Sequence, residues 1–152
     1  MSDNPLSIEG KVVIVTGGGK GIGRVYCQEF AKAGAKVVAA DIDHDANEDT
    51  VAAVRGAGGE AITATTDVSN DEQTAEMAKK AIDAFGRIDF LFNSAGAAGR
   101  RSSFLDIDAE LWRKTYALNV DGVFNTMQSV LPHMISNNHG VIVNIASMAH
   151  RR

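Results

Sequence analysis

The sequence has almost no cysteine and no long hydrophobic run. Cys27 is the only cysteine among 152 residues, so no internal disulfide can form, and we expect this residue in the core. No apolar stretch approaches the roughly 20 residues that a membrane-spanning helix needs. Residues 1–5 also lack the pattern of a signal peptide. We therefore expect a cytoplasmic protein without a membrane partner.

The sequence also lacks a concentration of basic charge and a metal-ligand pattern. Fifteen Lys and Arg residues stand against 19 Asp and Glu residues, and the basic ones are scattered, so we expect no nucleic-acid partner. The four histidines show no ligand spacing, which argues against a metal site. The length and a hydrophobic content of 45% are typical of one globular domain, here residues 1–152.

What the chain does have is an apolar run that breaks into a glycine-rich turn. Residues 12–16 are β-branched, which is typical of a buried parallel strand. Beyond the turn, Ile22, Tyr26 and Phe30 recur four residues apart and predict a helix. Such a unit brings backbone N–H groups and the positive end of a helix dipole to one point, which suits a phosphate group. A nucleotide site is predicted, although the glycines would equally let the helix pack closely on the strand.

The spacing of the glycines distinguishes between nucleotide-binding motifs. G-x-G-x-x-G is not met, because positions 22 and 24 hold Ile and Arg where its last glycine would fall. A P-loop is not met either, since Lys20 is followed by Gly21 instead of Ser or Thr. The pattern present is Thr-Gly-x-x-x-Gly-x-Gly, with its glycines at Gly17, Gly21 and Gly23.

The rest of the chain alternates strand-like and helix-like segments. Predicted strands cover residues 36–41, 60–66, 88–93 and 140–146, and predicted helices cover 45–55, 71–85 and a bent tract 108–136. This order predicts an α/β protein with a doubly wound, Rossmann-type parallel sheet and helices on both faces, a three-layer α/β/α arrangement. In such a sheet the ligand crevice lies at the carboxyl ends of the strands. We expect this chain to end after the fifth strand, with the domain incomplete at its C-terminus.

Asp41 closes the second predicted strand, 24 residues after Gly17. A carboxylate at this place accepts hydrogen bonds from both ribose hydroxyls and repels a 2′-phosphate, so NAD is favoured over NADP. Lys20 is a counter-argument, because a cation in the turn could help to bind a 2′-phosphate. As an alternative, Asp41 would be a turn residue or the cap of the next helix.

The glycine motif resembles the cofactor turn of the short-chain dehydrogenase/reductase family, and the resemblance extends from Lys11 over the rest of the chain. It implies an NAD(H)-dependent oxidoreductase that interconverts a small-molecule alcohol and a ketone by hydride transfer. It also implies a set of cofactor-binding residues: Gly17, Lys20, Gly21, Ile22, Gly23, Asp41, Ile42, Asp67, Val68, Asn93, Ala95 and Gly96.

In this family the Asp67-Val68 pair would hold the adenine edge, and Asn93-Ser94-Ala95-Gly96 resembles an Asn-Asn-Ala-Gly signature with Ser in the second place. Small residues there allow a close backbone approach to a flat ligand. By itself, Asp67 would be read as the start of a turn. Ser94 departs from the signature and removes an amide that could brace the central strand.

Two residues match catalytic positions of the family. Asn119, expected to be buried in the middle of a helix, would bend that helix and hold a water molecule of a proton relay. The Ser147 hydroxyl would hydrogen-bond the substrate oxygen. Without the resemblance, Asn119 would be read as an interhelical hydrogen bond and Ser147 as a turn residue.

The Tyr-x-x-x-Lys pair of the family is not found, because the chain ends five residues after Ser147 and neither Tyr26 nor Tyr116 has Lys four residues later. We therefore expect the cofactor half of an oxidoreductase, inactive by itself. A non-catalytic NAD-binding or interaction domain is the alternative, and a nucleotide-sugar epimerase relative is disfavoured by the glycine spacing.

The family resemblance implies a homodimer or homotetramer. The apolar residues of the tract 108–136 would then pack against their counterparts, although they could equally face the sheet of their own chain: Trp112, Leu118, Phe124 and Leu131. A polar stretch after Asn93 falls where the family shapes its substrate pocket, but it does not identify a substrate: Arg100, Arg101, Ser102 and Ser103.

Overall fold

Five parallel strands form a single sheet in the computed structural model, which describes residues 7–97 and 103–146. The strands are β1 (Val12–Thr16), β2 (Lys36–Asp41), β3 (Glu60–Thr65), β4 (Phe90–Asn93) and β5 (Val141–Asn144). Their order is β3-β2-β1-β4-β5, so the winding reverses between β1 and β4. This topology confirms the predicted doubly wound sheet and leaves a crevice at the carboxyl ends of β1 and β4.

Within the described ranges, five α-helices connect the strands: α1 (Gly21–Lys32), α2 (His44–Gly56), α3 (Asp71–Phe85), α4 (Ala109–Tyr116) and α5 (Gly122–Ser136). A 3-10 turn, Phe104–Asp106, precedes α4, and a π-helical turn, Ala117–Asp121, joins α4 to α5. The predicted helical tract is therefore confirmed, and it is interrupted by this π turn. None of the helices in the described ranges is long and apolar enough to cross a membrane.

Helix ends follow from local capping. The side chains of Asp43, Asn70 and Asp108 accept hydrogen bonds from backbone N–H groups in the first turns of α2, α3 and α4. Gly86, at φ 77°, ends α3 in the left-handed conformation, as its position in the sequence predicts. The structure extends α2 by one residue at each end relative to the prediction.

The core consists of two layers, one on each face of the sheet. Val13 and Val15 of β1 pack in the layer on the side of α1 and α2, whereas Val12 and Ile14 pack on the side of α3 and α5. Cys27 is fully buried in the α1 layer, and its burial raises the pKa of the thiol to about 12. The expectation of a core cysteine is confirmed.

Three strands are shorter than predicted. The fourth begins at Phe90 instead of residue 88, since the Asp89 carboxylate, rather than the backbone, accepts the N–H of Val12 at 2.9 Å. The fifth runs over Val141–Asn144 instead of 140–146, and its Val141 and Val143 side chains are 41% and 38% exposed. The third ends one residue early, at Thr65.

Candidate active site

A cleft lies at the carboxyl ends of the strands, as the topology predicts. It consists of two adjoining parts of about 390 Å³ and about 360 Å³, which share Gly17, Asp41, Ala95 and Gly96. These volumes are in the range of small-molecule sites. The structure brings all but one of the predicted cofactor-binding residues to its wall; the others there are Lys20, Gly21, Ile22, Gly23, Ile42, Asp67 and Val68.

The glycine turn forms the floor of this cleft by close backbone contact. A Cβ on Gly17 would lie 3.0 Å from the Cα of Ala95, and a Cβ on Gly23 would overlap the carbonyl oxygen of Gly17. Gly17 also has φ 68°, which disfavours any residue with a side chain. The spacing of these glycines is therefore required by the way that α1 approaches the ends of β1 and β4.

The first turn of α1 differs from the first turns of α2, α3 and α4. Its N-cap residue, Lys20, makes no side-chain capping hydrogen bond within the described part of the chain, and the turn contains no acidic residue. The N–H groups at this helix start thus have no side-chain acceptor there, and they open on the cleft with the positive end of the helix dipole. This arrangement favours an anionic group at the glycine turn.

Asp41 is fixed in position by two backbone N–H groups. Its Oδ2 accepts from Gly19 and its Oδ1 accepts from Asp43, each at 2.9 Å. Each carboxylate oxygen keeps capacity for a further hydrogen bond. Asp41 does not cap α2, because Asp43 does so by accepting from Ala46. The carboxylate therefore closes the glycine turn and borders the cleft at once.

Lys20 lies on the same side of the cleft as Asp41 and forms an ion pair with Asp43, with Nζ and Oδ2 2.5 Å apart. The hydrogen bond and charge of Asp43 raise the pKa of Lys20, and the same hydrogen bond lowers the pKa of Asp43. The cation in the turn therefore has an acidic partner, the N-cap residue of α2.

The Asp67-Val68 pair follows β3 and lines the opposite part of the cleft. Asp67 Oδ1 accepts from both the N–H and the hydroxyl of Ser69, so this residue does start the turn before α3. Val68 is 5% exposed, and a Cβ on Gly122 would lie only 2.7 Å from its Cγ2. Asp67 can thus start the turn before α3 and line the cleft as well.

Asn93 is the predicted residue that lies beneath the cleft instead of lining it. It is 4% exposed, its Nδ2 donates to Asn144 Oδ1 at 2.9 Å, and the Thr126 hydroxyl lies 2.9 Å from its Oδ1. Its side chain joins β4 to β5 and α5, so its role in cofactor binding stays a prediction. Sequence reasoning assigned no role to Thr126 and Asn144, because a buried polar network across sheet and helix leaves no local pattern.

Thr16 is a further residue whose role the motif did not reveal. Its hydroxyl accepts from the N–H groups of Ser94 and Ala95, both at 3.1 Å, and holds the end of β4 against β1. The signal that could have revealed this role is the position of Thr16 directly before the first glycine of the motif. Thr16 therefore joins the end of β1 to residues that line the cleft.

Asn119 lies in the π-helical turn, and the expectation that it is buried is wrong, since the structure exposes it. Its Nδ2 donates to the carbonyl of Thr115 at 2.8 Å in its own helix and to the carbonyl of Ala97 at 3.2 Å. It thus ties the helix to the segment after β4, where a Cβ on Gly96 would lie 2.9 Å from Asn119 Oδ1. The π turn interrupts the α-helical hydrogen-bond ladder at the place where the sequence predicts an irregularity.

Some predicted residues lie outside the described ranges: Ser147, Arg100, Arg101 and Ser102. Ser103 is described, and it caps the 3-10 turn by accepting from Leu105. Within residues 7–97 and 103–146, no group of three or more His, Cys, Asp or Glu side chains could hold a metal ion. The chemistry that the described part of the cleft offers is anion binding at α1 and hydroxyl recognition at Asp41.

Comparisons with known proteins agree with this geometry. The 7alpha-hydroxysteroid dehydrogenase of Escherichia coli (strain K12) is 39% identical over 148 residues, which cover 97% of this chain and 57% of that protein. A solved structure of 7alpha-hydroxysteroid dehydrogenase complexed with NADH and 7-oxo glycochenodeoxycholic acid has a TM-score of 0.91 at 37% identity, covering all of this chain and 59% of that one. An NAD+-bound xylitol dehydrogenase has a TM-score of 0.90 at 36% identity, covering 93% of this chain and 55% of that one.

The chain thus spans little more than half the length of these relatives. The family model described as short chain dehydrogenase matches residues 11–152, from just before β1 to the last residue. The matched range includes the glycine turn, Asp41 and the π turn that carries Asn119. This chain belongs to the short-chain dehydrogenase family.

Proposed function

We propose that the protein containing this chain is an NAD(H)-dependent oxidoreductase that interconverts a small-molecule alcohol and a ketone by hydride transfer. The observation that carries the proposal is the cleft in which the uncapped start of α1 and the fixed carboxylate of Asp41 lie side by side. Support also comes from the relatives, whose structures hold NADH or NAD+.

The described residues fit a dinucleotide. Gly17 and Gly23 leave no side chain over the start of α1, so a diphosphate there is held by backbone N–H groups. Asp41 accepts from the adenosine ribose, while Asp67 and Val68 contact the adenine. When bound, the nicotinamide supplies the carbon that accepts or gives the hydride.

Fluorescence titration with NADH and NADPH tests this proposal, using the wild-type chain and Asp41→Asn. We expect tighter binding of NADH, and in Asp41→Asn a loss of about tenfold to a hundredfold in NADH affinity that narrows the gap to NADPH. Asp49→Asn, an exposed acid on α2, is the matched charge control. Because Asp41 also holds the glycine turn, the free energy of unfolding is measured in parallel. Equal affinities of the wild type for the two cofactors would refute the role of Asp41.

Ser147 and Asn119 are proposed to act at the reacting end of the complete enzyme. Ser147 hydrogen-bonds the substrate oxygen, and Asn119 positions water in a proton relay. Ser147→Ala in the full-length protein is expected to remove most turnover while NADH affinity stays nearly unchanged. A parallel loss of cofactor binding would show that the serine is structural.

We also propose a homodimer or homotetramer formed through α4 and α5. Trp112 and Phe124 are 58% and 61% exposed, so they do not face the sheet of their own chain, whereas Val130 and Met134 do. Exposed apolar side chains of this size are typical of an interaction surface. In sedimentation, Phe124→Glu is expected to yield a smaller species than the wild type, and an unchanged oligomer would contradict the proposal. A cytoplasmic location is part of the proposal and is tested by cell fractionation.

A further inference from the structure

Two side chains with opposite charge border the glycine turn. Asp41 and Lys20 line the same part of the cleft, and the side chain of Lys20 is 71% exposed. A phosphate on the adenosine ribose would be repelled by the carboxylate of Asp41 and attracted by a free ammonium group beside it. The outcome therefore depends on whether Lys20 is available to an incoming anion.

Asp43 determines that availability. Its Oδ2 lies 2.5 Å from Lys20 Nζ, and its Oδ1 accepts from the N–H of Ala46 at 3.1 Å. The carboxylate is thus fixed as the cap of α2, and it holds the Lys20 side chain towards α2. The raised pKa of Lys20 and the lowered pKa of Asp43 agree with a pair that is charged on both sides.

We infer that Asp43 is a specificity-determining residue, which keeps the Lys20 ammonium group paired and so prevents it from serving a 2′-phosphate. The inference rests on the proposed function, since it assumes that the cleft takes an adenine dinucleotide. With Asp43 present, the three side chains Lys20, Asp41 and Asp43 carry one net negative charge. Without it they are neutral, and the cation is free to turn towards the ribose.

Asp43→Ser tests the inference, because Ser caps a helix about as well as Asp but carries no charge. The probes are ADP and its 2′-phosphorylated counterpart, 2′,5′-ADP, titrated into the full chain by calorimetry. We expect Asp43→Ser to improve the affinity for 2′,5′-ADP relative to ADP by about fivefold, a modest gain because the ion pair that it breaks is exposed to solvent. The gain should shrink as salt is raised.

Two further variants decide whether Lys20 carries the effect. In Lys20→Gln, the substitution Asp43→Ser should no longer improve the ratio, because no cation remains to be released. A gain that persists in Lys20→Gln would overturn the inference and leave simple charge removal as the cause. Asp45→Ser, which removes a neighbouring exposed carboxylate from the first turn of α2, is the matched control and should not change the ratio.

The possible failures can be told apart. If the wild-type chain binds neither ADP nor NADH, the proposed function fails. If it binds both and the ratio is the same in Asp43→Ser and wild type, only the role of Asp43 is refuted. Should Asp43→Ser fold poorly, Asp43→Asn keeps the capping oxygen, removes the same charge and is expected to give the same gain.

Discussion

Among single residues, Cys27 has the property that is easiest to isolate by experiment. Its thiol is fully buried between α1 and the sheet, and a Cβ on Gly18 would lie 3.1 Å from its Sγ. Burial raises its pKa from 9.0 to about 12, because a thiolate would lose its hydration there. The unfolded chain therefore releases this proton at a lower pH than the folded chain does.

The stability of the fold should accordingly depend on pH through Cys27. The contribution of this thiol is fully present below about pH 9 and is lost as the pH rises towards about 12, with a slope of at most about 1.4 kcal/mol per pH unit. Urea unfolding of wild type and Cys27→Ala at pH 8, 9.5 and 10.5 measures this. The difference between the two proteins should shrink or reverse with pH, since all other groups titrate alike in both. Parallel curves would contradict the assignment.

For single residues, the sequence predicts which positions lie at the cleft better than it predicts the burial and the partners of each side chain. The positions of Gly17, Gly23 and Asp41 follow from a local motif, and the structure places all three at the cleft. The burial of Asn119 was predicted wrongly, because side-chain exposure depends on how α4 and α5 lie relative to the sheet. The ion pair between Lys20 and Asp43 could not be foreseen, since it joins two turns 23 residues apart.

At the scale of elements, the packing of α1 against the end of β1 decides whether the cleft exists. Gly23 is where α1 contacts the glycine turn. A Cβ on Gly23 would overlap the carbonyl oxygen of Gly17, which is a backbone atom and cannot move aside as a flexible side chain could. Gly56, at the end of α2, has nothing within 4 Å of a Cβ. The two glycines thus provide a matched pair of Gly→Ala substitutions.

Gly23→Ala should push α1 away from the glycine turn, lower the free energy of unfolding by about 1–3 kcal/mol and weaken NADH binding by more than tenfold. Gly56→Ala should leave NADH affinity unchanged and either preserve or slightly raise stability. Chemical unfolding and fluorescence titration of both variants measure these effects. Tight NADH binding by Gly23→Ala would show that the close approach is not needed for the site.

Element types were predictable because each has its own periodicity or cap. The bounds of α3 were predicted to the residue, since Asn70 caps its start and Gly86 ends it. The start of β4 was not, because the N–H of Val12 donates to the side chain of Asp89 instead of to a backbone carbonyl, a contact across 77 residues. The π turn was predicted only as a bend, since its register depends on the tie between Asn119 and Ala97.

For the molecule as a whole, the two ends of the parallel strands differ in what they contain. The cleft lies at the carboxyl ends, whereas a buried carboxylate, that of Asp89, lies at the amino ends. Asp89 is 1% exposed, accepts from the N–H of Val12 and from Arg87, and lies near Lys11 and His139 at 3.9 and 3.8 Å. It therefore joins the starts of β1, β4 and β5 in one cluster.

Asp89→Ala should lower the free energy of unfolding by about 3 kcal/mol, because the buried N–H of Val12 loses its acceptor and the surrounding cations lose their partner. The NADH affinity of the folded variant should stay within about twofold of the wild-type value, since the substitution lies at the opposite end of the strands from the cleft. Asp83→Ala, which removes an exposed ion pair with Lys79, should lower the free energy of unfolding much less than Asp89→Ala does. A large effect of Asp89→Ala on NADH binding would mean that the two ends of the strands are coupled.

The overall architecture was the most predictable feature, since strands and helices alternate and right-handed crossovers leave few arrangements. The alternation predicts a doubly wound sheet, whereas the strand order, with its reversal between β1 and β4, comes from the structure. The sequence left open whether Trp112 and Phe124 pack on the sheet of their own chain or against a second subunit, because an apolar residue on a helix suits either contact. Only the packing of α5 through Val130 and Met134 shows which face is outward.

The start of α1 and Asp41 are together proposed to hold an adenine dinucleotide. Crystals of the chain soaked in NAD would show this binding. We expect density for the diphosphate against the backbone N–H groups at Gly21–Gly23, with the adenosine ribose hydroxyls at the carboxylate of Asp41. A cleft that is empty at saturating NAD, or filled by the protein's own side chains, would contradict it.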